Sequence, residues 1–322
     1  MLSKLTIILE CSRVFSLPMT IMSWLIIFTY SLLQAGELFY GILALIGVCL
    51  AHLATNVLDD YFDYKTLIKQ VGFDKNEYIK NSQKTKCRYL ISGMVTEGEL
   101  LSLAGLYLLL AGLVGLFLFF KCGMGVVYFA LVGGFFVLLY SLLSKIRLSE
   151  LAVGLTYGPA LFGGVYYVMT KTYSWEVFVF CIPSMIVTII LLYIHTVMDF
   201  EFDLNEGHNT IANTFDSQLD ALIVLKVLLL LAYISPIFLC IFDILDWQVF
   251  LTYLTIPLAI DLYKSMEEFS TNPNSIPEHK CYHFPMEDMR GAPAFMTRMF
   301  QSRNLMIYYS LFLTLAILLA LV

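Results

Sequence analysis

Two short stretches of this 322-residue chain gather carboxylates at helical spacing. In NVLDDYFD, residues 56–63, the side chains of Asn56, Asp59, Asp60 and Asp63 fall within one arc of about 100° on a helix. Asn56 with Asp60, and Asp59 with Asp63, are i,i+4 neighbours, so their oxygens stack one turn apart. In HTVMDFEFD, residues 195–203, the residues His195, Asp199 and Asp203 form a second stripe, which Glu206 extends. Stacked carboxylates repel, and near hydrocarbon each costs on the order of 2.5–3.5 kcal/mol to insert, so something positive must offset them. Hard oxygen donors without a His/Cys cage suit Mg²⁺, which takes one or two carboxylates and fills its shell with water and phosphate oxygens. A phosphate ligand also needs cationic donors. Arg88 in CRYLISG and Lys145 in YSLLSKIR are candidates, and Tyr140 could hydrogen-bond a phosphate or sit in an interfacial aromatic belt. Two other readings stay open for the acids: a solvated helix end at a membrane surface, and a proton or cation pathway.

The elements that carry these residues are apolar. The chain is 59% hydrophobic and 14% charged, against about 25% charged in a soluble domain. Runs of spanning length recur, which predicts an all-α polytopic membrane protein with about nine spans around a central cavity. They are expected at 16–34, 38–58, 100–120, 124–144, 151–170, 175–198, 219–241, 247–263 and 304–322, preceded by an interfacial helix over 2–14. The whole of 1–322 reads as one domain. Its faint pseudo-repeat halves, 16–144 and 151–263, place Asp59 and Asp63 in the same relation as Asp199 and Asp203, with the last span following. With the N-terminus inside, cytoplasmic segments hold 16 of the 19 basic residues, which predicts a multi-pass protein with both acid clusters on the cytoplasmic side. In a bacterium that membrane would be the inner or plasma membrane. Polar cap loops are expected at 64–96 and 264–303.

Other features point to no further chemistry. The net charge of −6 does not suggest nucleic acid, and the seven scattered cysteines contain no CxxC pair or disulfide framework. His279, Cys281 and His283 are spaced too tightly for a helix-borne tetrahedral metal site. A transporter would be expected to show Gly/Pro-broken helices near the midplane. The doublets Gly133-Gly134 and Gly163-Gly164 read more simply as close helix packing.

Over nearly its whole length the sequence resembles the UbiA superfamily of intramembrane prenyltransferases. NVLDDYFD resembles that family's first acidic signature, closest to the Asn-x-x-Asn-Asp-Tyr-x-Asp form of the dihydroxynaphthoate polyprenyltransferase (menaquinone) branch, with Asp59 in place of the second Asn. DFEFD is similar to the second signature, Asp-x-x-x-Asp. RYLISGMVT resembles the Arg-x-x-x-Ser-Gly segment, YSLLSK the Tyr-x-x-x-Lys loop with one extra residue, and RVFSLP the basic N-terminal entry. The sequence departs from the menaquinone branch at Met198 and His208, where basic residues are usual, and in a longer insertion between Asp63 and Arg88. The resemblance implies that Asn56, Asp60, Asp63, Asp199 and Asp203 hold Mg²⁺ against the diphosphate of a polyprenyl donor. Asp60, Asp199, Lys145 and Tyr140 would then act on the reaction itself. Arg88, Asn56, Lys145, Tyr140, Asp59 and His195 would bind the substrates, a polyprenyl diphosphate donor and an aromatic acceptor, with the lipid bilayer as the surrounding partner. Hydroxybenzoate, a glycerol-phosphate ether lipid and a chlorophyll-type alcohol are alternative acceptors. A non-enzymatic ion-coupled transporter on the same fold is the alternative to an enzyme.

Overall fold

The computed structural model describes residues 4–69, 87–145, 147–206, 210–283 and 293–320, without the side chains at 5, 88, 138–142, 144, 145, 205 and 206. The described residues form helices and turns with no strand. In chain order the α-helices are α1 (Lys4–Cys11), α2 (Leu17–Leu33), α3 (Leu38–Leu67), α4 (Arg88–Ile91), α5 (Glu97–Cys122), α6 (Gly125–Lys145), α7 (Ser149–Leu155), α8 (Leu161–Thr170), α9 (Glu176–Phe180), α10 (Ile182–Met198), α11 (Phe200–Glu206), α12 (Gln218–Ile241), α13 (Ile256–Thr271) and α14 (Pro293–Leu319). Local chemistry explains many of the boundaries. Pro18 and Pro183 open α2 and α10, where a missing N–H costs nothing. Thr96 and Glu99 form a reciprocal capping box on α5, which ends at Gly123 with φ 93°.

Seven helical segments among the described residues are long and apolar enough to cross a membrane: Val14–Leu33, Leu38–Leu67, Glu97–Cys122, Ser149–Thr170, Glu176–Met198, Gln218–Ile241 and Pro293–Leu319. The chain is an integral membrane protein. The sequence predicts nine spans, and the two others differ for separate reasons. α6 has 21 residues, but only Gly125–Val137 carries fully described side chains, and that stretch is apolar. The run expected at 247–263 is not one α-helix. Trp247–Thr255 forms a 3-10 segment, and Pro257 opens α13 after it. Two spans are also longer than their apolar runs. α3 continues through the first acid cluster to Leu67, and α14 begins at Pro293 because Arg298, Arg303 and Asn304 turn inward and are buried. The proposed cap loops are therefore partly helix, and their centres, 70–86 and 284–292, lie outside the described residues.

Contacts at the helix ends show which termini meet. At one end Arg13, just before α2, pairs with Asp59 and Asp60 near the end of α3. At the other, Lys171 after α8 pairs with Glu37 before α3 at 2.7 Å. The α2 and α8 helices therefore run together and α3 returns. Tyr167 of α8 donates to the Cys122 carbonyl at the end of α5, so α5 starts at the acid end. Gly125 and Phe129 of α6 pack on Tyr167 and Gly163, so α6 returns to the acid end, where Tyr140 and Lys145 lie in its last turns. Thr196 near the end of α10 donates to Glu150 at the start of α7, and Gln218 of α12 donates to the Val197 carbonyl. Every chemistry-bearing helix end thus falls on one side of the bundle.

Two apolar clusters build the interior. One surrounds Tyr193, Leu225, Leu262 and Tyr309 and joins α10, α12, α13 and α14. The other surrounds Ile26, Phe162, Phe180 and Leu313 and joins α2, α8, α9 and α14. A smaller one, around Cys11, Val57, Leu90 and Leu100, ties α1, α3, α4 and α5 together beneath the first acid cluster. Lipid removes the hydrophobic drive for helix association, so fit and hydrogen bonds carry it. Gly125 is one such fit: a Cβ there would stand 2.3 Å from the Tyr167 ring. Gly125→Ala is expected to destabilise the detergent-solubilised protein by about 1–3 kcal/mol through overpacking. A thermal midpoint equal to that of the parent would show that the ring yields freely.

Candidate active site

The first acid cluster lies on α3 and is organised by the turn between α1 and α2. Arg13 takes a left-handed conformation there, φ 51° and ψ 47°. Its guanidinium lies 3.3 Å from Asp59 Oδ2 and also contacts Asp60 Oδ1. Burial alone would lower the Arg13 pKa, but the adjacent charges of Asp60 and Asp59 outweigh it and the net shift is upward. Asp60 is 7% exposed, whereas Asp59 and Asp63 are half-buried. Asn56 Nδ2 donates to the Ser12 carbonyl at 3.1 Å and to Ser16 Oγ at 3.0 Å. The amide nitrogen therefore pins the turn that carries Arg13, which leaves the carboxamide oxygen as the atom able to face a cation. Cys87 Sγ donates to the Asp60 carbonyl at 3.2 Å. That contact brings the start of α4, and so the backbone of Arg88, against the cluster.

The second cluster sits at a helix break. α10 ends at Met198, Asp199 is its C-cap residue, and α11 resumes at Phe200. The Asp203 N–H bonds to the Asp199 carbonyl at 2.8 Å, so the two carboxylates stay about one turn apart across the break. Both are 7% exposed. His195 Nδ1 lies 3.2 Å from Asp199 Oδ2, and the other side of its half-exposed ring meets Phe295 edge-on. The structure thus brings Asn56, Asp59, Asp60 and Asp63 together, and separately His195, Asp199 and Asp203, at the same end of the bundle. The side chains of Arg88, Tyr140, Lys145 and Glu206, and all of His208, lie outside the described residues.

Sequence reasoning missed two residues here. Glu150 is 2% exposed and accepts from Thr196 at 3.2 Å and Ser149 at 3.1 Å. It ties α7 to α10 one turn before Asp199. His52 lies one turn before Asn56 on the same face of α3 and is also buried. Its i−4 and i−8 spacing from Asn56 and Asp60 was the available signal.

In the His279–His283 segment the side chains gather on Asp261. Lys280 Nζ binds both Asp261 oxygens, at 2.7 and 2.8 Å, and Tyr282 donates to the same carboxylate. Burial lowers the His283 pKa. No group of three or more His, Cys, Asp or Glu among the described residues is close enough to form a metal cage.

The donor set nonetheless suits a hard cation. Both clusters offer oxygen ligands, and Asp59 and Asp60 already receive one cation, the Arg13 guanidinium. Mg²⁺ bound beside phosphates uses one or two carboxylates at a time, so two separate acidic pairs fit it better than a single closed cage would.

Comparison with known proteins agrees with this architecture. The chain matches no curated protein sequence. Its fold is similar to that of a UbiA homologue from Aeropyrum pernix K1, with a TM-score of 0.63 at 18% identity over 94% of this chain and 98% of that one. It is also similar to a structure described as digeranylgeranylglyceryl phosphate synthase in membranes, with a TM-score of 0.61 at 17% identity over 98% of this chain and 99% of the other. At such identities the likeness shows the fold alone. The model of the UbiA prenyltransferase family matches residues 16–275, from the turn after Arg13 to Ser275, and takes in both acid clusters. The chain belongs to the UbiA prenyltransferase family.

Proposed function

We propose that the protein transfers a polyprenyl group from an isoprenyl diphosphate, with Mg²⁺, to an aromatic acceptor, and that the acceptor is dihydroxynaphthoate in menaquinone biosynthesis. One observation carries the reading: two buried acid-bearing helix ends, 140 residues apart in the chain, lie on the same side of the bundle. Family membership supports prenyl transfer. The NVLDDYFD signature is what favours the naphthoate acceptor.

Mg²⁺, when bound, would neutralise charge developing on the leaving diphosphate. Asn56, Asp60 and Asp63 on α3, with Asp199 and Asp203 on the α10–α11 break, would hold it. Arg88 and Lys145, on helices that begin and end at the acid side, donate to the diphosphate oxygens, and Tyr140 adds a hydroxyl. Asp59 keeps Arg13 in place and positions the acceptor. His195 holds Asp199 in orientation through its Nδ1. The allylic C–O bond breaks with its electron pair going to the diphosphate. A ring carbon of the acceptor then forms the new C–C bond and loses its proton. Aromatic side chains in the bundle can face the allylic cation. The basic residues at the acid end favour a cytoplasmic side for it, with the N-terminus inside.

An acceptor panel tests the reading. With one labelled prenyl diphosphate, dihydroxynaphthoate is expected to give product, and hydroxybenzoate, a glycerol-phosphate ether lipid and a chlorophyll-type alcohol to give little. Turnover of hydroxybenzoate alone would reject the naphthoate assignment. Undiminished turnover in excess EDTA would reject the metal.

A further inference from the structure

Below the acid end, four polar side chains from three helical segments meet where the chain is otherwise apolar. His52 lies eight residues before Asp60 on α3, about 12 Å along the helix. Its Nε2 is 2.8 Å from Ser16 Oγ. Its Nδ1 is 2.5 Å from Thr20 Oγ1 and 2.9 Å from the Tyr157 hydroxyl. Ser16 gives its proton to the Arg13 carbonyl at 2.8 Å and accepts from Asn56, so it can only accept from the imidazole. Counting donors therefore puts the proton on Nε2 and the lone pair on Nδ1. Two hydroxyl protons, from Thr20 and Tyr157, then converge on one lone pair. Thr20 and Tyr157 are also hydrogen-bonded to each other, so a ligand oxygen entering here would take over one of these hydroxyl protons.

The position of Tyr157 bears on which. It projects from a π-helical turn, Thr156–Ala160, in which Gly158 departs from helical geometry (φ −90°, ψ −105°) and Pro159 interrupts the ladder. Such turns are enriched at functional sites. Gly158 also lets Met185 of α10 approach, since a Cβ there would stand 3.0 Å from Met185 Cβ. Tyr157 packs against both large apolar clusters, which puts it at the centre of the bundle and away from lipid. Thr20 and His52 are buried, and Tyr157 and Ser16 are half-buried. Among the described residues no cationic side chain bonds to this group; the Arg13 guanidinium, engaged with Asp59 and Asp60, reaches His52 only through its charge.

We propose that His52, Thr20 and Tyr157 form the seat for an oxygen substituent of the acceptor and select a hydroxylated aromatic ring over a phosphorylated acceptor. Neutral hydroxyl and imidazole groups match a phenolic or quinol oxygen. They offer a phosphate no bonded counter-charge, at a depth where an unpaired charge is costly. The spacing fits as well: about 12 Å between His52 and Asp60 accommodates a diphosphate at the acid end and one aromatic bicycle beneath it. The inference rests on the prenyl-transfer reading above and adds the residues that choose the acceptor. Removing one donor from a site built around a substrate oxygen weakens that substrate selectively, since the remaining buried groups lose a partner.

The experiment uses the full chain in nanodiscs with Mg²⁺ and measures two quantities, the acceptor KM for dihydroxynaphthoate and the Kd for a prenyl thiodiphosphate. Tyr157→Phe is expected to raise the acceptor KM roughly 10-fold, and Tyr157→Phe with Thr20→Val further, while the donor Kd stays within about twofold. An unchanged acceptor KM overturns the seat, and so does a KM that rises in step with the donor Kd, the mark of a structural role. Should the parent protein bind the thiodiphosphate but prenylate only the glycerol-phosphate acceptor, the aromatic reading falls and the seat with it. Should the parent prenylate dihydroxynaphthoate while both variants match it, the seat alone falls.

Discussion

Asp60→Asn is expected to lower kcat/KM for prenyl transfer by roughly 10²–10³-fold, the usual effect of removing one preorganised electrostatic partner of a leaving group. Asp60 is the buried member of the first cluster and contacts Arg13 directly. The Asn variant keeps its shape and loses only its charge. Asp59 remains to pair with Arg13 at 3.3 Å, so the α1–α2 turn should stay folded, which circular dichroism and an unchanged thermal midpoint would confirm. Mg²⁺-dependent binding of a prenyl thiodiphosphate should weaken in parallel. Asp199→Asn should behave alike, and the double variant should fall short of the product of the two, because both clusters act on one leaving group. An Asp60→Asn protein with parental kcat/KM and parental metal dependence would remove the first cluster from the reaction.

The second large effect concerns stability. Arg298 is fully buried. Its Nε donates to the Ser265 carbonyl, Nη1 to the carbonyls of Ser275 and Ala294, and Nη2 to Ser275 Oγ, all at 2.8 Å. The guanidinium also stacks over Phe269, 4.8 Å from its centroid. One side chain thus fastens α13, the turn after it and α14. Arg298→Met is expected to cost about 3 kcal/mol or more, since several buried acceptors lose a donor at once. Arg298→Lys should rescue little of this, because a single ammonium on a flexible stem cannot reproduce a planar fork. The check is the thermal midpoint of each detergent-purified variant. A Lys variant as stable as the parent would mean that charge, not the fork, holds this corner.

Much of the architecture was legible because the bilayer imposes it. Apolar runs gave most spans, and the spacing of Asp60, Asp63, Asp199 and Asp203 marked helix ends carrying charge. The errors cluster where polar residues face inward. Arg298, Arg303 and Asn304 look like loop composition, which moved the expected start of the last span from 293 to 304. In fact they point into the bundle and are buried. Trp247–Thr255 is apolar enough to suggest a span but winds as a 3-10 segment, with Thr252 and Thr255 bonded to carbonyls three residues back. His52 and Glu150 stayed invisible for a different reason. A lone polar residue in or beside an apolar run does not announce its partner, and the partners of these two come from Ser16, Thr20, Tyr157 and Thr196, far away in the chain.

The length of α3 has a consequence for supply. Its 30 residues reach about 45 Å, against a hydrocarbon layer of about 30 Å. Counted from Leu38, the twenty residues that fill that layer end near Val57, so Asp59, Asp60 and Asp63 stand level with the lipid headgroups. A donor with a charged head and a long isoprenoid tail already floats at that height. Its arrival is then a two-dimensional encounter within one leaflet, governed by the number of molecules per unit area. Diluting the vesicles with buffer should leave the rate unchanged, and diluting the same donor with inert phospholipid should slow it.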